Sequence, residues 1–337
     1  MTSFLEFLGG YDFINEKYPI RNRAELPHLR SFLNKELSAD AQLTEQSFYC
    51  VFQKDPAWMQ NQKKRILSDD PSESIGALGE MRAYADLLDM GFDVIPNGTN
   101  KGADFILQHS KSKEKAFVEV ATKTLPVANI SPDPYLVSAT QETAVFEIAY
   151  FGFPKEGENT TENAVSKIAS TKGDSLQAST SVPSILFIDF QNLPLNGSMM
   201  VNAFPFFSFQ GAFDTGALWA AFYGERGVPL YEEVRIGTPD REPIKMRHSG
   251  KFAKGNSSKF SGAFCSFSSF REGLCFFENP ENEITPNWIK VHMICNQRFS
   301  IQHSCFKYGN TVLREHIDLR NQQIFDFGKM YNDLNMY

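Results

Sequence analysis

The acidic residues Asp104 and Glu119 lie on two predicted strands that are joined by a polar segment, residues 108–115. Such a segment predicts a hairpin, which brings the two carboxylates across from each other on paired strands. Like charges at that separation repel unless a cation lies between them. Because hard divalent cations prefer carboxylate oxygens, the pair predicts a metal site that can activate water and stabilise charge on a phosphate.

Two further charged residues are candidates for the same site. Glu80 lies on the preceding predicted helix and is a candidate third metal ligand, because Gly76 and Gly79 beside it lack bulk and let the helix approach the sheet. Lys123 follows Glu119 by four positions, so the two share one face of an unbroken strand. A lysine there would orient the attacking water or neutralise charge on the phosphate.

The periodicity of the apolar residues predicts the elements that must position these side chains. Spacings of three and four predict a helix over 75–90 that is ended by Gly91, and alternation predicts strands over 92–95, 103–107 and 116–122. A helix over 164–178 and a buried strand over 183–190 are expected next. A helix, three strands, a helix and a strand form an α/β unit.

Short motifs occur in a characteristic order across residues 75–190. They are Gly79-Glu80, then Gly102-Ala-Asp104-Phe, then Phe117-Val-Glu119-Val, then a helix with Lys167, Lys172 and Gln177, and finally an apolar strand that ends in Asp189. This arrangement resembles the PD-(D/E)XK nuclease superfamily, which has the restriction-endonuclease-like fold. The resemblance implies a mixed sheet of four or five strands flanked by helices, and cleavage of DNA, or sometimes RNA, that depends on Mg²⁺ or Mn²⁺. It also implies catalytic and metal-binding roles for Asp104, Glu119 and Glu80.

The chain departs from that family at the catalytic lysine. The family has Glu-x-Lys, and the lysine position is occupied here by Ala121. Three explanations are open: a lysine changed to alanine to silence the enzyme, a transfer of the lysine role to Lys123, Lys167 or Lys172, or an inactive relative that only binds.

These patterns divide the chain into three parts. A helical N-terminal region (1–72) is followed by the nuclease-like α/β core (73–193) and by a C-terminal extension (194–337) that is rich in strands and packed on the core. The 31 phenylalanines, many of them after residue 140, favour a sheet-rich second half, because aromatic side chains suit a half-buried pleated surface.

The net charge of −7 does not indicate nucleic-acid binding, but a phosphate backbone responds to a local basic surface and not to the sum. One basic stretch lies at residues 241–259. The candidate nucleic-acid contacts are Lys245, Arg247, Lys251 and Lys254 in this stretch, together with Lys167 and Lys172 on the predicted helix. A loop that carries lysines for solubility explains the same stretch equally well.

Other features narrow the setting of the protein. The five cysteines form no Cys-x-x-Cys pair, which disfavours a zinc or disulfide framework and favours a reducing cytoplasm. The acidic N-terminus is unlike a signal peptide, and no apolar run reaches the roughly 18 residues that cross a bilayer, so no membrane association is expected. A phosphate-binding loop is missing, so a helicase or ATPase would act as a partner and not as part of this chain.

The sequence predicts a phosphodiesterase, an endonuclease that cleaves DNA with Mg²⁺, and its expected setting is microbial defence or restriction. The rival hypothesis is a non-catalytic subunit that keeps the nuclease fold to hold nucleic acid or a partner protein. Metal binding and cleavage distinguish the two.

Overall fold

The computed structural model describes residues 2–17, 39–97, 102–109, 112–122, 182–189, 206–209, 212–215, 217–227, 229–230, 234–235, 244–253, 255–256, 258–266, 275–279 and 282. The predicted helix over 164–178 lies outside these ranges. So do Lys123, Lys167, Lys172 and Lys254.

Helices make up the described part of the chain before the first strand. They are α1 (Phe4–Leu8), α2 (Tyr11–Lys17), α3 (Ala39–Lys54), α4 (Pro56–Ile66) and α5 (Pro71–Asp89). Asp55 and Asp70 precede the prolines that begin α4 and α5, and each carboxylate accepts a backbone N–H of the first turn. Proline suits this position because the N–H that it lacks would have no partner within the helix. The apolar periodicity predicts a helix that begins at residue 75. Helix α5 begins earlier, at Pro71, because this polar cap and the proline form its first turn.

Helix α5 ends as predicted, at a glycine in the left-handed conformation. Gly91 has φ 85°, its N–H donates to the Leu88 carbonyl at 2.8 Å, and the Phe92 N–H donates to the Leu87 carbonyl at 3.2 Å. These two bonds form a Schellman motif, which satisfies carbonyls that have no partner within the helix. The chain then turns directly into the first strand.

The strands described are β1 (Asp93–Pro96), β2 (Phe105–Gln108), β3 (Lys115–Thr122), β4 (Ser184–Asp189), β5 (Phe206–Phe209), β6 (Ala212–Thr215), β7 (Pro229–Leu230), β8 (Val234–Arg235), β9 (Ile244–Lys245), β10 (Gly262–Ser266) and β11 (Cys275–Glu278). The predictions of β1 to β4 are confirmed, with small shifts at their ends. Every residue of β4 is buried, as its continuous apolar character predicts.

The main sheet is mixed and has the strand order β1-β2-β3-β4-β10-β11. Strands β3, β4 and β10 are parallel neighbours, whereas β1, β2 and β11 join by antiparallel pairing. The predicted α/β class is therefore confirmed. The sheet has six strands, not the four or five that the resemblance implies, because β10 and β11 extend it beyond β4.

Helices lie on both faces of this sheet. Helix α5 packs against β3 and β4, and Val118, Phe187 and Phe264 belong to the same buried cluster as Leu78 of α5. On the opposite face a short helix, α6 (Ala217–Tyr223), stacks Phe222 on Phe277 of β11 with 4.3 Å between ring centroids. Because strand side chains alternate between faces, the residues next to the α5-facing set point to the α6 side.

The described strands after residue 194 are divided between the main sheet and smaller sheets. Strands β10 and β11 belong to the same sheet as β4, and the predicted boundary at residue 193 stays a prediction. Smaller sheets, β5-β6-β8 and β7-β9, account for the other described strands. Across the described ranges, no helix has the length and apolar character needed to cross a bilayer.

Candidate acidic site

The strand register places Asp104 directly across from Glu119. Phe105 of β2 pairs with Val118 of β3 in an antiparallel ladder, so the next step along that ladder sets Asp104 opposite Glu119. This is the juxtaposition that the hairpin pattern predicts. The metal-binding role of the two residues stays a prediction.

A hydrogen bond holds Asp104 at the point where β2 begins. Its Oδ2 atom accepts the backbone N–H of Val120 at 2.7 Å. That N–H lies two positions beyond Val118, the last β3 residue paired with β2, where no strand carbonyl continues the ladder. The carboxylate therefore takes the place of a backbone acceptor, and its bond fixes Asp104 beside the central part of β3.

Glu119 is almost fully buried in the middle of β3, with only 2% of its surface exposed. Its neighbours Val118 and Val120 belong to the cluster under α5, so strand alternation directs Glu119 to the opposite face of the sheet. A buried carboxylate requires compensation by hydrogen bonds or by positive charge. This burial sets Glu119 apart from an ordinary surface acid.

Glu80 is engaged by side chains of α4. Arg65 Nη2 donates to Glu80 Oε1 at 2.8 Å, Arg65 Nη1 donates to Oε2, and Gln62 Nε2 also donates to Oε2 at 3.1 Å. The carboxylate thus faces α4, on the helix side of the sheet. Glu119 points to the other side.

These directions explain why the three acids do not form one compact cluster. Within the ranges that the structure describes, no group of three or more His, Cys, Asp or Glu side chains is arranged to hold a metal ion. Asp104 and Glu119 remain neighbours in the sheet, whereas Glu80 pairs with Arg65.

Arg65 links Glu80 electrostatically to Asp104. Its pKa is raised above the ordinary value first by the hydrogen bond to Glu80, against the opposing effect of burial, and then by the negative charges of Glu80, Asp104 and Glu73. The contribution from Asp104 means that this carboxylate lies within electrostatic range of the guanidinium. Glu80 therefore contacts Arg65 directly, whereas Asp104 acts on the same guanidinium only through its charge.

Ala121, at the position where the resemblance implies a lysine, lies two positions after Glu119 on β3, faces the same side, and is buried.

The predicted basic contacts with nucleic acid have different surroundings. Lys245 lies on β9, and Arg247 follows it at an exposed position. Lys251 is buried, with its Nζ atom 5.4 Å from the centroid of the Phe260 ring. This burial argues against the predicted contact of Lys251 with a phosphate backbone.

A second polar group, which the sequence interpretation missed, lies between α5 and the sheet. Arg82 Nη2 donates to Asp189 Oδ2 at 2.6 Å, and both side chains are buried. The sequence pattern marks Asp189 only as the end of an apolar strand. The sequence signal that marks it is a charged residue at the end of a strand otherwise buried on both faces, which demands a buried partner.

The register gathers further polar residues at the same edge. Thr122 and Ser266 both pair with Asp189 in the parallel ladders. The Ser266 hydroxyl donates to Asp86 Oδ2 of α5 at 2.7 Å. Burial raises the pKa of Asp86 to about 7, an effect that the Ser266 hydrogen bond opposes.

Gly79 allows α5 to approach this edge, as the sequence predicts. A Cβ atom at Gly79 would overlap Thr122 Oγ1 and would lie 3.0 Å from Asp189 Oδ2. Gly76 plays no such part, since a Cβ there would meet no atom within 4 Å. The close approach at Gly79 brings Arg82, one turn further along α5, within reach of Asp189.

Comparisons of the chain with family models, with curated proteins and with solved structures found no match. The site must therefore be interpreted from its own chemistry.

Proposed function

We propose that the protein is a divalent-metal-dependent nuclease of the restriction-endonuclease-like fold that cleaves DNA phosphodiester bonds. The observation that carries the proposal is the register of β2 and β3, whose last pair, Phe105 with Val118, leaves Asp104 and Glu119 as the next residues on either side. One of these acids is buried at mid-strand and the other is held at the strand start by a backbone N–H. The mixed α/β sheet supports the family assignment only at the level of fold class.

The donor set fits a hard cation. Two carboxylates on adjacent strands offer the oxygen ligands that Mg²⁺ and Mn²⁺ accept, and a cation there would offset the repulsion between them. The metal would supply Lewis acidity for phosphodiester hydrolysis. Asp104 and Glu119 would hold it, and the ladder between β2 and β3 would keep their spacing constant during the reaction.

The non-catalytic alternative is favoured by a different observation. Ala121 stands on β3 where the family has its lysine, and its methyl group can neither orient water nor carry charge. A chain that keeps the fold but lacks this lysine would bind nucleic acid or a partner protein without cleaving nucleic acid. The proposal includes a helicase or ATPase partner and a setting in microbial defence. Both are inferred only from the processes in which such nucleases usually act.

A combined metal-binding and cleavage experiment tests the proposal. Mn²⁺ binding is measured by calorimetry for the unaltered chain, Asp104→Asn, Glu119→Gln and the control Asp93→Asn, which changes an exposed acid on β1. Duplex DNA, single-stranded DNA and RNA are then incubated with the unaltered chain and with Ala121→Lys. We expect binding that Asp104→Asn and Glu119→Gln abolish and Asp93→Asn preserves, and DNA cleavage that is faster in Ala121→Lys. The nuclease proposal is overturned if the unaltered chain binds no metal and neither version cleaves nucleic acid. Nucleic-acid binding without cleavage would favour the alternative.

A further inference from the structure

The position of Arg65 gives it a chemistry that its sequence context does not suggest. It is the last of three consecutive basic residues in the final turn of α4, where an exposed basic face is the ordinary expectation. Its guanidinium instead turns toward α5 and binds Glu80 through both Nη atoms, and Nη1 also donates to Gln62 Oε1 at 3.0 Å. A planar fork bound in this way is held in one orientation.

Two N–H donors of the Arg65 guanidinium remain available. A guanidinium has five N–H donors, and the bonds to Glu80 and Gln62 use three of them. The Nε–H and the second Nη2–H form the other edge of the plane, and neither has an acceptor among the residues that the structure describes. The Arg65 side chain is 38% exposed, so a ligand can reach part of it.

The charge around this edge favours an anion that arrives together with a cation. Glu80 offsets the charge of Arg65 by direct contact, and Asp104 lies within electrostatic range of it. A metal ion at Asp104 and Glu119 would offset the Asp104 charge and leave Arg65 more attractive to an anion. Two parallel N–H donors match two oxygens of one phosphate group.

We propose that Arg65 is a phosphate-binding residue, whose Nε and Nη2 edge takes the non-bridging oxygens of a nucleic-acid phosphodiester beside Asp104, and that Glu80 serves as the clamp that orients this arginine. The proposal rests on the proposed function for the identity of the anion. It places a positively charged side chain, that of Arg65, near the acidic site, although position 121 of β3 is an alanine. It also gives Glu80 a positioning role in place of the predicted metal-ligand role.

The test compares Arg65→Gln with Lys64→Gln, which removes the same charge from the exposed neighbouring position of the same helical turn. Binding of a short fluorescein-labelled DNA duplex is measured by anisotropy with Ca²⁺ and again in chelator, over a series of salt concentrations, with a duplex RNA as a second probe. We expect Arg65→Gln to weaken DNA binding by about tenfold or more and to lower the salt slope by about 0.9, the value for one lost phosphate contact. Lys64→Gln should change the affinity less than about threefold.

Two further variants separate a phosphate contact from a structural role. Arg65→Lys should restore the salt slope but only part of the affinity, because an ammonium keeps the charge and loses the two-donor edge. Glu80→Gln should weaken DNA binding while leaving Mn²⁺ affinity unchanged in calorimetry.

The inference is overturned if Arg65→Gln and Lys64→Gln weaken DNA binding equally, or if Glu80→Gln abolishes Mn²⁺ binding. Neither result touches the nuclease proposal, which fails separately when the unaltered chain binds no metal and cuts nothing. Because duplex binding is measured both with and without a divalent cation, the Arg65 comparison gives an answer in either case, and an unaltered chain that binds no duplex under either condition also overturns the inference.

Discussion

Helix α5 carries two arginine–carboxylate contacts that differ in their surroundings. Arg82 and Asp189 are 1% and 0% exposed, and they join the helix to the centre of the sheet. Arg65 and Glu80 are 38% and 15% exposed, and they join two helices near the candidate acidic site. Glu80 and Arg82 are two positions apart, so they leave α5 in different directions.

The comparison separates a contact that holds the fold from one that orients an arginine for a ligand. Removing one member of a buried ion pair leaves an uncompensated charge in a medium of low dielectric, so neither member can leave. A half-exposed pair contributes little to stability, because water can replace either partner. We therefore expect Arg82 and Asp189 to act in folding and Arg65 and Glu80 to act in binding.

The largest expected effect comes from breaking the buried contact. Asp189→Asn should lower the free energy of unfolding by about 3–5 kcal/mol, because Arg82 would keep its charge without a counter-charge. Urea denaturation measures the change. The double variant Arg82→Met with Asp189→Leu is the control, and it should recover most of the loss since neither charge remains. A loss below about 1 kcal/mol in Asp189→Asn would mean that water reaches the pair.

Gly79→Ala should loosen the same contact without removing a charge. The added methyl group would overlap Thr122 Oγ1 and crowd Asp189, and such overpacking costs about 1–3 kcal/mol of stability. Gly76→Ala is the matched control on the same helix, where the methyl group meets no atom within 4 Å. It should stabilise the protein by up to about 1 kcal/mol through helix propensity. Thermal unfolding of the two variants checks the difference, and equal effects would contradict the close approach at Gly79.

The pH dependence of stability should reveal Asp86, which lies next to the buried pair. Its folded-state pKa of about 7 is above the ordinary 3.8, so the native state keeps a proton that the unfolded state loses. Its contribution to stability therefore falls as pH rises from about 4 to about 7 and is lost above that range. The charges that act on it are those of Asp189, Arg82 and Asp89.

Asp86→Asn should remove this dependence. The variant should be more stable than the unaltered chain by about 3–4 kcal/mol near pH 8 and equal to it near pH 4, because a neutral amide imitates the protonated acid. Urea denaturation at both pH values gives the difference. A stability gain that is the same at the two values would exclude Asp86 as its source.

The smallest expected effect on stability belongs to the half-exposed contact. Arg65→Gln should change the free energy of unfolding by less than about 1 kcal/mol, and added salt should weaken the contact in the unaltered chain. Chemical denaturation at low and high salt measures both quantities. A loss as large as that in Asp189→Asn would show that Arg65 supports the fold, and the division between the two contacts would then fail.

Much of the sheet could be predicted because its signals are local. The alternation over 116–122 and the apolar run over 183–190 correspond to β3 and β4, and Gly91 ends α5 as expected. A short polar segment between β2 and β3 was enough to predict their pairing, and the observed register ends at Phe105 and Val118, directly before Asp104 and Glu119. The sequence did not indicate that β10 and β11 would join the same sheet, because parallel pairing leaves no turn signal between distant strands.

The partners of the charged residues could not be predicted in the same way. Arg65 meets Glu80 across a helix–helix junction, 15 positions along the chain, and Arg82 meets Asp189 at a separation of 107. The sequence does not distinguish Lys63, Lys64 and Arg65 as partners of Glu80. Only the orientation of α4 against α5 brings Arg65 into contact with that carboxylate. Lys251 shows the reverse case, since a basic stretch that suggests exposure contains a buried lysine.

Local physical chemistry was therefore sufficient for the α/β class, the helix ends, the central strands and the meeting of Asp104 with Glu119, because backbone preferences and side-chain periodicity act over a few residues. The packing of α4 and α5 on the sheet decided which charge each carboxylate faces. That choice depends on distances between elements that are far apart in the chain. The energy of an ion pair varies with distance and burial, and neither quantity can be read from the order of the residues alone.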